Sequence, residues 1–411
     1  MNKRVGDLLV EGRLDDPFAR RPALRAPLWL LALITFSATL AMHVFVPALP
    51  RAAIDLGASV GATQMTISVY IFGLALGQLV YGPVADRYGR RPVLMAGLAL
   101  YTIAGLACTL APNIDTLIVA RLFQALGGCC GMVLGRAIVR DTSAPNDAAR
   151  RLALMNLMVT VGPAFAPLIG GLLASTLGWR AIFVALCMLG IANVLFVWRL
   201  LPETGTPAPG GGAEVARNYK MLLRSPAFIG FSIGGGCATT AMYAFVASAP
   251  FIFVNQLHRA TWEVGVYIGV LVSGVWLGSL LATRLIGRIA IRKLLVRSNL
   301  VSVAGAFVFL AAVLSGHLSV PIAVASMLVF TIGVGISSPT ALTLAVSVNP
   351  HVIGSASGLY GFAQMGVGAI CTALAGLGGN PALSAALVLA GAGIIGQSAF
   401  WMALRKRSPP I

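Results

Sequence analysis

Gly82-Pro83-Val84-Ala85-Asp86-Arg87-Tyr88-Gly89-Arg90-Arg91-Pro92 is a charged, glycine-punctuated run between two long apolar stretches. Only 10% of the 411 residues are charged, so the cluster is conspicuous. Gly82 and Gly89 permit a tight turn and close helix approach. The stretch reads as a short turn between two membrane-spanning helices.

Composition agrees. The chain is 58% hydrophobic, whereas a soluble domain carries about a quarter charged residues. A hydrocarbon core about 30 Å thick needs about 20 apolar residues per helix. Such runs recur here without the alternation a spanning strand would show. The pattern predicts an all-α membrane protein with twelve spans: 28–49, 60–82, 93–111, 114–138, 152–175, 181–201, 227–254, 264–286, 294–315, 319–346, 352–377 and 382–404.

The net charge of +17 does not point to nucleic acid, because the bases cluster in short segments between apolar runs. Arginine and lysine in short loops mark the cytoplasmic side. With the first segment inside, 23 bases fall on that side and three, Arg51, Arg180 and Arg259, on the other. Both termini are therefore expected in the cytoplasm. Residues 1–27 lack a signal-peptide pattern and read as a cytoplasmic tail, with 405–411 as a second. Residues 202–225, rich in Pro, Gly and charge, read as a cytoplasmic linker between a 28–201 bundle and a 226–404 bundle. The halves echo each other: Gly77-Gln78-Leu79-Val80 aligns with Gly278-Ser279-Leu280-Leu281. That offset pairs Arg87 with Arg288 and Arg91 with Arg292, while Gly287 replaces Asp86. Two six-helix repeats around a central path is a transporter plan.

Six cysteines lie in apolar spans without metal-like spacing and read as small reduced core residues. The sequence contains no nucleophile–base arrangement, phosphate loop or metal cluster. We expect no enzyme activity, cofactor or metal, and no drive by ATP hydrolysis.

The fourth span carries Arg121, about 10 Å inside the outer end at 1.5 Å per residue. A charge at that depth is costly and functional by default. Gln124 and Gly127 follow at one-turn spacing on the same face. The fifth span holds Gly162-Pro163 and Pro167-Leu168-Ile169-Gly170-Gly171, a density that bends and thins a helix. Close packing of small residues is the alternative reading of that stretch.

The G-x-x-x-D-R-x-G-R-R spelling resembles the signature loop of the major facilitator superfamily. R-x-x-Q-x-x-G resembles the fourth-helix motif of its proton-coupled members, with Ala125 in place of a usual glycine. The fifth-span stretch resembles the antiporter motif G-P-x-x-G-G, with Ala166 in place of its first glycine. Phe45-Val46-Pro47-Ala48-Leu49-Pro50, Arg136-Ala137-Ile138-Val139-Arg140-Asp141, Gly178-Trp179-Arg180-Ala181-Ile182-Phe183, Leu201-Pro202-Glu203-Thr204 and Ser248-Ala249-Pro250-Phe251 extend the likeness. Together they resemble the bicyclomycin/chloramphenicol-resistance branch of drug:proton antiporters, over about residues 28–404. The resemblance implies a conformational latch: Asp86 against the N-terminus of the eleventh span, with Gly82, Arg87, Gly89 and Arg90 around it and Arg136 or Arg140 as its partner.

The sequence departs from its relatives in the first span. Where they carry an acid, the phrase is Met42-His43-Val44-Phe45, and all twelve acids of the chain lie outside the apolar cores. His43 is then the titratable candidate for proton exchange, or else a neutral packing residue. If His43 and Arg121 share a cavity, the guanidinium disfavours protonated His43. A cavity with Arg121 and no acid suits neutral or weakly anionic amphiphiles. Tyr70, Tyr243, Trp276, Tyr360 and Gln364 are candidate substrate contacts. The expectation is a monomeric inner-membrane exporter of drugs or xenobiotics, working by alternating access with protons as coupling ion. An exporter of an endogenous metabolite and a non-transporting receptor or scaffold are the rivals.

Overall fold

The computed structural model describes residues 26–143, 145–205 and 211–405. The rest of both expected tails and residues 206–210 of the linker lie outside the described residues. The first span is α1 (Leu28–Val44), a 3₁₀ turn (Val46–Ala48) and α2 (Leu49–Asp55). The next five are α3 (Val60–Tyr88), α4 (Arg90–Thr109), α5 (Ile114–Asp141), α6 (Pro145–Thr176) and α7 (Arg180–Leu200). After α8 (Gly211–Leu223), the seventh span is α9 (Pro226–Thr240), α10 (Met242–Pro250) and a π-helical turn (Phe251–Gln256). The last five are α11 (Thr261–Leu285), α12 (Ile291–Leu314), α13 (Val320–Val346), α14 (Ile353–Gly376) and α15 (Pro381–Arg405). Eleven of these spans meet the length and hydropathy needed to cross a bilayer among the described residues. The twelfth is the 32-residue α6.

Two expectations need correction. The charged stretch is not a loop: α3 continues through Pro83 and Asp86 to Tyr88, and Gly89 alone makes the turn at φ +94°. Apolar content marks where the bilayer ends, not where the hydrogen-bond ladder must stop. The linker also contains a helix. In α8, Val215, Tyr219 and Leu222 recur on one face, and Leu222 is buried. Tyr219 and Leu222 join a cluster with Phe228, Ala356 and Leu359.

The helices pack as a repeated set. In the first half α5 touches α1, α3 and α4, and α4 touches α7; in the second, α13 touches α9, α11 and α12, and α12 touches α15. The repeated glycines sit at equivalent crossings. A Cβ on Gly77 would strike Cys129 of α5, and one on Gly278 would lie 2.9 Å from Gly335 Cα of α13. Two helix pairs join the halves, α3 with α14 and α6 with α11.

Close approach without side chains does the joining, as in membrane helix packing generally. Within the first half, Gly127 of α5 makes the same kind of approach to α4, with 2.7 Å from its would-be Cβ to Gly97 O and 2.8 Å to Tyr101 Cα. Gly127→Val is expected to force α4 from α5 and cost about 1–3 kcal/mol. Thermal unfolding in detergent measures it. Gly391→Ala is the control, since nothing lies within 4 Å of its Cβ position.

Candidate functional site

Because α1 ends at Val44, its last carbonyls have no partner within the helix. Arg121 takes one of them: its Nη1 donates to Ala41 O at 3.1 Å and to Gln124 Oε1 at 2.8 Å. The guanidinium carbon lies 3.9 Å from the Tyr70 ring centroid, 5.5 Å from Phe45 and 5.7 Å from Phe183. Tyr70 is fixed in turn by its hydroxyl, which donates to Ala38 O at 2.8 Å. Arg121 and Gln124 are both 0% exposed. The expectation that they face a cavity is corrected: they sit sealed inside the first-half bundle, where a helix C-terminus and three π faces stand in for a carboxylate.

His43 lies two residues on from Ala41 and faces elsewhere. Its Nδ1 is 2.8 Å from Thr39 O. A carbonyl only accepts, so Nδ1 carries the hydrogen and Nε2 is left as the basic nitrogen. The ring meets Tyr243 of the second half edge-on at 6.1 Å. Phe245, Leu271, Met327 and Thr331 complete a crevice of about 10 Å³ around it, room for one water at most. His43 and Arg121 thus do not share a cavity.

The substrate candidates scatter. Tyr70 is spent on Arg121. Tyr243 faces His43 between the halves. Gln364 Nε2 donates to Thr239 Oγ1 at 2.7 Å within the second half. Tyr360 is buried beside Gly235, its hydroxyl without a partner among the described residues. Trp276 is 46% exposed on α11.

At the arginine-rich end, Asp86 pairs with Arg90 Nη1 at 2.7 Å, and Arg90 Nε reaches Asp141 Oδ2 at 3.0 Å. In this conformation the partner of Asp86 is Arg90, not Arg136 or Arg140. Those two line the same cavity as Asp86, Gly82 and the start of α14, which holds about 390 Å³. Arg87 instead turns onto the Tyr88 ring at 5.3 Å. Glu203 was not singled out from sequence. Its oxygens accept from the N–H groups of Arg90 at 2.9 Å and Arg91 at 3.2 Å, so it caps α4, which has no cap of its own. The signal was an acid in a loop that follows the partner helix, not α4 itself.

The opposite end is tightly closed. Gln64 of α3 is 0% exposed and its Nε2 donates to Ser248 Oγ at 3.1 Å, across the halves. Gly61 packs on the Gly376 carbonyl. The antiporter-like stretch forms the second seam. Gly162 and Pro163 lie within α6; Gly170 packs on the Val44 backbone of α1; Gly171 has Thr261 O and Trp262 Cα 3.5 Å from its Cβ position; and Pro167 O lies 2.7 Å from that of Gly265 in α11. Each described acid lies at a helix end or between helices.

With this geometry in view, comparison with known proteins is direct. Residues 31–373 match the family described as Major Facilitator Superfamily. The chain is 29% identical to an uncharacterized MFS-type transporter, YdgK, of Bacillus subtilis (strain 168), over 92% of this chain and 95% of that one. It is 30% identical to the multidrug transporter MdfA of Yersinia pestis bv. Antiqua (strain Angola), over 67% and 68%. The fold superposes on a D-xylose-proton symporter with TM-score 0.74 at 14% identity, covering 91% of this chain and 96% of that one. The chain belongs to the major facilitator superfamily.

The closed end yields a test. Gly61→Val is expected to part α3 from α14 there. In a cysteine-free background, a cysteine at position 248, a site 0% exposed, should then react with a water-soluble maleimide much faster than with Gly61 intact.

Proposed function

We propose that this superfamily member is a secondary active exporter of small neutral or weakly anionic amphiphiles, drugs and xenobiotics among them, in the bicyclomycin/chloramphenicol-resistance branch. It works as a multi-pass protein of a bacterial inner membrane with both termini in the cytoplasm. The similarity to a protein named as a multidrug transporter supports efflux. The single observation that carries the cargo class is Arg121: a fully buried cation with no carboxylate in contact among the described residues. Such an interior repels cationic cargo and tolerates neutral or anionic cargo.

The two halves, 28–201 and 226–404, rock about the α3–α14 and α6–α11 seams. On this reading the arginine-rich end is cytoplasmic, and the Gln64–Ser248 contact closes the outer end. When the cytoplasmic end closes, Asp86 leaves Arg90 for the N-terminus of α14, where the helix dipole favours an acid.

His43 is the proton site. Nε2 takes a proton when the outer end opens, and the imidazolium then stands in an apolar seam between the halves. That charge is costly to bury, so it biases the seam to reopen on the cytoplasmic side. There the proton leaves and cargo enters, giving one proton in per export step.

The test is antibiotic susceptibility in an efflux-deficient bacterial host. Expression should confer resistance to phenicols and bicyclic peptides. Arg121→Met should abolish that resistance while the protein still reaches the membrane. Some stability should be lost, because Ala41 O and Gln124 Oε1 lose their donor, so membrane expression and the thermal midpoint are measured alongside. Strong resistance to cationic dyes would overturn the cargo class. No resistance to any compound, with membrane expression verified, would overturn drug efflux in favour of a metabolite exporter.

A further inference from the structure

The cavity between α3, α5, α8 and α14 at the arginine-rich end holds about 390 Å³. Its electrostatics are unbalanced. One carboxylate, Asp86, and three guanidiniums, Arg90, Arg136 and Arg140, line it. Asp86 is matched by Arg90, which also holds Asp141 from outside the lining. Arg136 and Arg140 remain, four residues apart on one face of α5. Neither has an ion-pair partner among the described residues. Like charges at that spacing destabilise a helix, so the pair calls for a counter-charge.

The facing wall comes from the other half of the molecule and is also built of donors. Ile353, Gly354 and Ser355 line the cavity from the first turn of α14. That turn carries no side-chain cap and no acid. No side chain crowds Gly354, whose Cβ position has nothing within 4 Å. Ser355, Ser357 and Tyr219 also line this space.

We propose that this cavity binds a phosphate group, bridged between Arg136 and Arg140 of the first half and the start of α14 in the second. Two guanidiniums match a dianion in charge and offer paired donors to its oxygens. Free N–H groups at a helix start and nearby hydroxyls take the remaining oxygens. The phosphate is either free in the cytoplasm or the monoester headgroup of an anionic lipid. Bound there, it ties the halves together across the cavity and stabilises this conformation. The test reads ligand binding directly and does not depend on efflux.

The full-length protein in an uncharged detergent would be unfolded thermally with inorganic phosphate, with sodium chloride at equal ionic strength, and with short-chain phosphatidic acid. Phosphate or phosphatidic acid should raise the midpoint above chloride. Arg140→Gln should weaken that response about tenfold or more, the loss of a charge-assisted hydrogen bond. Arg136→Gln should do the same, and either variant suffices if the other does not fold. A response to both ligands identifies a free phosphate site, and a response to phosphatidic acid alone identifies a lipid headgroup site. No shift beyond chloride, or an equal shift in Arg140→Gln, would overturn the proposal.

Discussion

The end of α1 at Val44 and the guanidinium of Arg121 depend on each other. A lone cation inside a membrane bundle needs a negative surface, and a broken helix needs a donor for its last carbonyls. Arg121 supplies the donor to Ala41 O, and the negative end of the α1 dipole supplies part of the surface. Phe45, just past the break, Tyr70 of α3 and Phe183 of α7 supply the rest. A desolvated cation–π contact is worth about 2 kcal/mol, so three rings offset much of what burial costs. One residue thereby fixes the mutual placement of α1, α3, α5 and α7. The same break turns the chain through Val46–Ala48 and leaves His43 aimed at the other half instead of into its own.

The contact between the halves has a different character. Along α3–α14 and α6–α11 the helices meet through backbone: Gly61 on Gly376 and Gly265 under Pro167. Such seams have few side chains to unlock, so sliding or rocking disturbs little packing. A polar side-chain contact between the halves sits at the closed end, Gln64 with Ser248, whereas the Asp86–Arg90–Asp141 group at the other end lies within the first half.

The spans were legible because hydropathy reports bilayer contact directly. Every expected span has its helix, with ends displaced by a few residues. Gly82–Tyr88 was misread because its charges resemble a loop, although a helix can run on into water once its apolar part is anchored. The helix in the linker was legible in principle, since Val215, Tyr219 and Leu222 lie on one helical face, but surrounding glycine and proline hid it. The depth of Arg121 was legible from residue spacing. Its surroundings were not, because the three rings come from residues 45, 70 and 183, far apart in the chain. Asp86 shows the same limit. Its real partner, Arg90, stands four positions away and was visible, yet nothing local distinguishes it from Arg136 or Arg140.

If His43 stands where relatives carry an acid, as the resemblance implies, the proposed coupling changes with it. A membrane interior with an arginine and a carboxylate is neutral when the acid is ionised and positive when it is protonated. With histidine in that place, the interior is positive when the imidazole is neutral and more so when it is protonated. Protonation therefore never removes a counter-charge that a cationic cargo could replace, and it adds repulsion. The same step leaves neutral cargo unaffected and draws anionic cargo closer. The placement of His43 on the inter-half face and Arg121 in the bundle core moderates this coupling, because separation and the α1 backbone stand between the two charges. On the proposed reading, His43 changes charge at the seam while Arg121 keeps its fixed one in the core, so the proposed switch and the structural charge occupy opposite sides of the same helix end.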